Sequence, residues 1–386
     1  MTRFLALFGG NRSTAAGARR KSGRGRPKPP APAGSGLLSH RKAEHVKVVL
    51  GQNVDGRYRY WDDVQLFHNA LPEIDFEEID TSVELLGQRL KAPLMITGMT
   101  GGYPGAVTIN SNLAHAAADV GIAMGVGSER AAILKGNYPE SYSCVAKFPV
   151  PLKFANIGAP QIIPQSPGDR VIGLTEARAA MDLIGAQALA IHLNFLQEMV
   201  QPEGDRRARG CLEQIHALAR DLPVLVKETG AGLSRFVGDR LKVAGVRAFD
   251  VSGTGGTSFA AVEHYRAVAQ GADREARVGK TFWNWGIPSP VAVRELAPLD
   301  LPIVASGGVR SGLDIARAVA LGATSAGIAG GILRAAATGY KEARAELEQI
   351  IYEFKVAMFL TGSRTVEELR RTRYTLIGET REWLDR

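Results

Sequence analysis

Eight short apolar runs, each followed by a polar or glycine-rich turn and then a stretch rich in Ala, Leu and charges, constrain this chain more than any other feature. They are "PLMITGM" (93–99), "IAMGVGS" (122–128), "LKFANIG" (152–158), "ALAIHLN" (188–194), "PVLVKE" (223–228), "AFDVSG" (248–253), "PIVASGG" (302–308) and "SAGIAGG" (325–331). Strands that are apolar along nearly their whole length are buried on both faces, as in a parallel sheet covered by helices. Eight such units in succession predict an α/β fold, a closed (β/α)8 TIM barrel, over an open doubly wound sheet. No G-x-G-x-x-G turn follows the first run, which argues against the open dinucleotide-binding sheet. A chain of 386 residues, 45% of them hydrophobic, can bury a core of that size.

In such a barrel the chemistry collects at the carboxyl ends of the strands. Those ends carry residues 97–102, 128–130, Asn156, 192–198, Lys227 with Glu228, 252–258, 306–310 and 329–331. Every predicted strand therefore delivers a polar group or a glycine to one rim. The densest cluster is "HLNFLQE" (192–198). On a strand His192 and Asn194 share a face, with Gln197 and Glu198 expected in the loop just beyond. Together they supply hydrogen-bonding groups and one carboxylate but no nucleophile.

The net charge of +8 is a local matter. Residues 1–36 hold eight Lys and Arg and no acid, so the excess of 47 basic over 39 acidic residues sits in that segment. Its Gly-, Pro-, Ser- and Arg-rich composition predicts a disordered tail, followed by a single barrel domain over 37–386. The balanced remainder argues against a nucleic-acid-binding protein, which needs a basic stripe or aromatic platforms on the folded part. No apolar run reaches the roughly 18 residues that span a bilayer. Two cysteines, Cys144 and Cys211, fit a reducing compartment, so a cytoplasmic protein is expected.

The last two units, "VASGGVRSGLDIARAVALGATSAGIAGGIL", set Gly307, Gly308 and Arg310 before one helix and Ala329, Gly330 and Gly331 before the next. Glycines there let backbone N–H groups approach a phosphate, and helix amino-termini favour it. The stretch resembles the phosphate-binding half of FMN-dependent barrels such as the 2-hydroxy-acid oxidases. That resemblance implies a flavin ring across the mouth near Met99, Thr100, Ser128, Asn156 and Lys227, with the Lys227 cation beside the reduced ring. An oxidase also needs a histidine base near strands six and seven, and "SGTGGTSFAAVEH" has none beside the strand end. Upstream, "SHRKAEHVKVVL" (39–50) predicts a helix capped by Ser39. Arg41, Lys42 and His45 would crowd its first turn, an arrangement that makes sense over an anion such as a diphosphate.

Seven motifs now stand in order: "RKAEH" (41–45), "TGMTGG" (97–102), "GSER" (127–130), "HLNFLQE" (192–198), "KETGAG" (227–232), "SGTGGTSF" (252–259) and "SGGVR" (306–310). Together they resemble the type 2, FMN-dependent isopentenyl-diphosphate isomerases over residues 39–350. The resemblance implies interconversion of isopentenyl and dimethylallyl diphosphate on reduced FMN without net redox change, and NADPH only to prime the flavin. It implies substrate contacts from Arg41, Lys42, His45, Ser128, Arg130, His192, Asn194 and Gln197, with Gln197 and His192 nearest the chemistry. FMN would be held by Gly98, Met99, Thr100, Ser128, Asn156, Lys227, Ser252, Thr257, Gly307, Gly308, Arg310, Ala329 and Gly330, and Mg²⁺ by Glu198. A homo-oligomer acting on a small-molecule diphosphate, with no nucleic-acid or membrane partner, is expected. An FMN oxidoreductase of the hydroxy-acid oxidase type is the alternative. One position departs from the family pattern: Glu129 stands where Gln is usual, and a carboxylate facing a diphosphate would repel it.

Overall fold

A computed structural model describes residues 34–385. The expected tail, 1–36, lies outside the described residues except for its last three, which open the amino-terminal helix Gly34–Gly51. This helix starts more than a turn before Ser39. No proline between 34 and 51 interrupts its hydrogen-bond ladder, so Ser39 is an interior residue and not a cap. Arg41, Lys42 and His45 accordingly sit mid-helix, about two turns from the start or further. Their side chains, and not the helix terminus, must do any anion binding.

All eight apolar runs form strands: Leu94–Ile96, Ala123–Gly125, Lys153–Gly158, Ala188–Leu193, Val224–Glu228, Ala248–Asp250, Ile303–Ala305 and Ser325–Ile328. They pair in parallel in chain order, and the eighth closes on the first through Ala326 opposite Leu94. The result is a closed barrel without a free edge. Short antiparallel strands at Val64–Leu66 and Tyr374–Leu376 join the segments flanking the barrel. Among the described residues no helix is long and apolar enough to cross a membrane.

The two-residue period of the strands decides what lies inside. Met95, Ala123, Phe154, Ala188, Ala190, Leu225, Ala248 and Val304 form an apolar interior cluster. Leu85 and Leu90, from the hairpin Val83–Leu85 with Gln88–Leu90, join the same cluster as a stopper. Their strand neighbours Leu94, Ile96, Leu189, Ile191, Val224, Val226, Phe249 and Ile303 belong instead to the large core between strands and helices. On six of the strands the position two residues beyond the last inward apolar group is polar, and Thr97, Asn156, His192, Lys227, Asp250 and Ser306 are all buried. An apolar plug therefore carries a polar floor, and the floor faces the carboxyl ends of the strands.

Phe154 is fully buried directly below Asn156 in this sequence of layers. Phe154→Ala should destabilise the fold by about 3–5 kcal/mol, read as a lowered urea midpoint with an unchanged m-value. A loss under about 1 kcal/mol would show that the plug does not carry the floor.

Candidate active site

A cavity of about 350 Å³ opens over the polar floor. Its lining includes every residue singled out from the sequence as a site candidate, from Arg41 on the amino-terminal helix to Gly330 after the eighth strand. The fold thus gathers positions nearly three hundred residues apart at one mouth.

At the floor, Asn156 Nδ2 donates to Val126 O at 2.8 Å, so its Oδ1 faces His192 Nδ1, also at 2.8 Å. A carbonyl oxygen can only accept, so His192 carries its proton on Nδ1 and leaves Nε2 as an acceptor. Burial, followed by the charges of Lys227 and Lys42, pushes the imidazole down to about 3. At that value the imidazole is neutral at physiological pH, with Nε2 as its acceptor atom. Lys227 is buried and donates to Glu228 O at 2.6 Å. The Glu228 carboxylate accepts N–H groups from Thr229, Gly230 and Ala231, which makes it a clamp for its own loop. Burial pushes this carboxyl up to about 7 against those hydrogen bonds.

On the side of strands seven and eight, Gly307 and Gly308 adopt φ of 89° and 84°. Gly307 O is anchored by Trp61 Nε1 at 2.9 Å and Ser289 Oγ at 2.7 Å. A Cβ on Gly256 would come within 2.3 Å of Gly308 N, so only a glycine lets these loops meet. Arg310 pairs with Asp55 at 2.7 Å, and the helix Gly330–Thr338 begins at the same side of the cavity. Two left-handed glycines, an arginine and a helix start form a cradle that fits a phosphate.

Opposite lie the cations. Arg41 Nη1 donates to Gln201 Oε1 at 2.8 Å, and Lys42 Nζ to Tyr142 Oη at 2.6 Å and to Ser128 O. Burial, then Arg41, pulls Lys42 down to about 7. Arg130 pairs with Asp205 at 2.6 Å. Gln197 and Glu198, expected in a loop, lie on the helix Phe195–Val200, too short for a periodic pattern to announce. Glu198 Oε1 accepts from Asn194 Nδ2 at 2.9 Å and Oε2 from the Asp205 N–H at 2.9 Å, and burial raises its pKa. Glu129 turns away from the cavity: its Oε2 accepts the Asn156 N–H at 2.8 Å, and burial pushes it up to about 8. The repulsion foreseen for a carboxylate at that position therefore does not arise from the lining.

Sequence reasoning missed Glu263, on the helix Phe259–Gln270. It is fully buried, and its Oε1 takes His45 Nε2 at 2.8 Å, Gln197 Nε2 at 2.9 Å and Gln201 Nε2 at 3.0 Å, while Oε2 takes Arg266. Burial opposes its charge, but His45 and Arg266 more than offset this and the pKa falls to about 2. The available signal was a lone acid three residues before Arg266, flanked by Ala260, Ala261 and Val262 on an apolar stretch.

Six buried side-chain polar atoms among the described residues lack a hydrogen-bond partner, and four belong to the cavity lining: Arg41 Nε, Arg130 Nε, Thr100 Oγ1 and Asn194 Oδ1. Buried polar groups left unpaired are costly unless a ligand completes them. Arg41 and Arg130 both line the cavity, and two guanidinium groups with a donor still unpaired suit an anion with several oxygens. For a metal, the described residues offer no cluster of three or more His, Cys, Asp or Glu. Glu198 alone fits only a hard cation that keeps waters and shares a phosphate.

A family described as FMN-dependent dehydrogenase matches residues 287–376, the span that holds the glycine cradle. The isopentenyl-diphosphate delta-isomerase of Thermoplasma volcanium is 46% identical over 349 residues, covering 90% of this chain and 100% of that protein. The enzyme of the same name from Archaeoglobus fulgidus is 43% identical over 350 residues, covering 90% and 98%. The chain belongs to the isopentenyl-diphosphate delta-isomerase family. The FMN-dependent dehydrogenase match supports its assignment to the FMN-dependent type within that family. Among solved structures, a mandelate oxidase variant with a monooxide FMN adduct superposes with a TM-score of 0.58 at 18% identity, covering 89% of this chain and 96% of that one. Mandelate oxidase with benzoyl-formic acid gives 0.56 at 19%, covering 89% and 98%. At that identity the likeness is one of fold. The Glu263 hub predicts a measurable effect: Glu263→Gln should cost about 3–5 kcal/mol at neutral pH, because it breaks a buried ion pair. Since the native pKa lies below the usual carboxylate value, the wild-type advantage should persist above about pH 4.5 and fade as pH falls toward 2. An advantage that stays constant across that window would contradict the charged hub.

Proposed function

We propose that this chain interconverts isopentenyl and dimethylallyl diphosphate, with FMN in the glycine cradle and Mg²⁺ at Glu198. The observation that carries the reading is the pair of unpartnered, buried Nε donors of Arg41 and Arg130 opposite a separate phosphate cradle. Two anion sites across one cavity suit a flavin phosphate on one side and a substrate diphosphate on the other. Gly307, Gly308, Arg310, Ala329 and Gly330 would hold the flavin phosphate, and Gly98, Met99, Thr100, Ser128, Asn156, Lys227, Ser252 and Thr257 its ring and ribityl chain. When bound, reduced FMN supplies an acid–base group and an electron-rich ring face to the hydrocarbon end.

The protein's own part is orientation and charge. Lys227 sets a buried cation beside the ring site, which favours an anionic reduced ring. Arg41, Lys42, His45 and Arg130 neutralise the diphosphate, and Glu198 draws a hard cation onto it. Gln197 donates through Nε2 to Glu263, so its amide oxygen is the end turned toward Asn194 and the cavity. An amide is too weak an acid or base to move the proton unaided, which makes Gln197 a positioning group at the alkene. NADPH primes the flavin, and the same reading makes the protein a cytoplasmic homo-oligomer.

The oxidoreductase alternative lacks its base. His264, the histidine that follows strand six, contacts Ala276 O at 2.7 Å and does not line the cavity.

Glu198→Gln keeps the shape of the side chain but removes a charged ligand from a hard cation. Isomerisation should fall at least about a hundredfold, the Mg²⁺ needed for half-maximal rate should rise, and flavin binding should be unaffected. Glu228→Gln is the control, because its carboxylate is occupied by three backbone N–H groups. An unchanged Mg²⁺ dependence in Glu198→Gln would remove the metal from this carboxylate.

A further inference from the structure

The loop over residues 201–210, just after the helix Phe195–Val200, carries groups that the reaction above does not use. Its Gly204 packs against the metal carboxylate's own backbone, where a Cβ would lie 1.7 Å from Glu198 O. That approach delivers Asp205 to two places at once. Its N–H donates to Glu198 Oε2 at 2.9 Å. Its Oδ2 accepts from Arg130 Nη1 at 2.6 Å and from Gln161 Nε2 at 3.2 Å.

Each contact removes a freedom that ligand binding would otherwise have to remove. Glu198 is gripped on Oε1 by Asn194 and on Oε2 by the Asp205 N–H, which fixes the plane of its carboxylate. Arg130 is anchored at Nη1 while its Nε remains buried and unpartnered. A guanidinium is a planar fork, so holding one corner aims the rest. Asp205 itself does not line the cavity. A carboxylate beside a diphosphate would repel it, yet this one is turned onto the arginine from behind.

We propose that Asp205 is a positioning residue that locks Glu198 and Arg130 into one rigid receptor for a metal-bound diphosphate. The proposal rests on the reading of this cavity as a diphosphate site. Preorganisation of this kind improves affinity by reducing the ordering cost of binding, so its loss acts on substrate capture more than on the chemical step. Gln161 steadies the same oxygen from the third strand's exit.

The test uses the full-length, flavin-loaded protein and titrates inorganic pyrophosphate with Mg²⁺ by calorimetry, alongside steady-state kinetics with isopentenyl diphosphate. Asp205→Ala should weaken Mg²⁺–pyrophosphate binding about tenfold and raise KM to match, with kcat within about twofold of wild type. Asp205→Asn keeps the backbone N–H and an acceptor oxygen, so it should recover much of the affinity. It also decides the matter if the alanine variant does not fold. Because the Asp205 side chain acts through Arg130, while its N–H to Glu198 survives in the alanine variant, adding Asp205→Ala to Arg130→Ala should weaken binding further by much less than in wild type. Unchanged or tighter binding in Asp205→Ala, or full additivity with Arg130→Ala, overturns the proposal while leaving the diphosphate reading intact. Failure of the wild-type protein to bind Mg²⁺–pyrophosphate at all overturns that reading and this proposal with it.

Discussion

Closure of the parallel barrel is the constraint on which everything else depends. Once Ala326 pairs with Leu94, every strand ends at the same rim and every second side chain is committed to the interior. His192 is opposite Lys227, and Lys227 opposite Asp250, so polar groups far apart in the chain become neighbours through backbone register alone. A slip of one residue in any strand would exchange this polar layer with the apolar set that packs under the helices. The apolar plug of Met95, Phe154 and Leu225 makes such a slip costly, because it would bury charge and expose hydrocarbon.

Over that floor the protein solves an electrostatic problem. Cations meant for a diphosphate must survive in a half-buried site before the ligand arrives. Each is held by a fixed partner, Arg41 by Gln201, Arg130 by Asp205 and Lys42 by Tyr142 and Ser128 O, and beside them His45, whose pKa burial lowers, is held by Glu263. Arg266, nearly fully buried, ties Glu263 to Glu44 and Glu203. The amino-terminal helix is thereby bound by charge to the loop after strand four and the helix after strand six, while Arg41 Nε stays unpaired. Preorganised polarity of this kind is what a site needs if it is to act at a developing charge without rearranging.

The strands and the identity of the rim residues were legible because apolar runs and glycine turns are local signals. The start of the first helix was not: Ser39 is a good cap by composition, but caps compete with a ladder that nothing interrupts before Gly34. The six-residue helix that carries Gln197 and Glu198 was too short to show a period. Glu263 was missed for a different reason. It lies 218 residues from His45 and 66 from Gln197, and its meaning exists only after closure brings those groups together. Asp205 is similar, since its partners Glu198 and Arg130 lie on two different exits of the barrel. The doubtful Glu129 was resolved only by orientation, which composition does not carry.

The central claim is that the flavin here serves an isomerisation without net redox change. The most direct measurement counts product against reductant: flavin-loaded protein under anaerobic conditions, Mg²⁺, a small fixed amount of NADPH and excess isopentenyl diphosphate, followed by the yield of dimethylallyl diphosphate. The account predicts many product molecules for each NADPH oxidised, with the reaction running on to equilibrium after NADPH consumption has stopped. Product that stops with the reductant, one molecule for one, would contradict it.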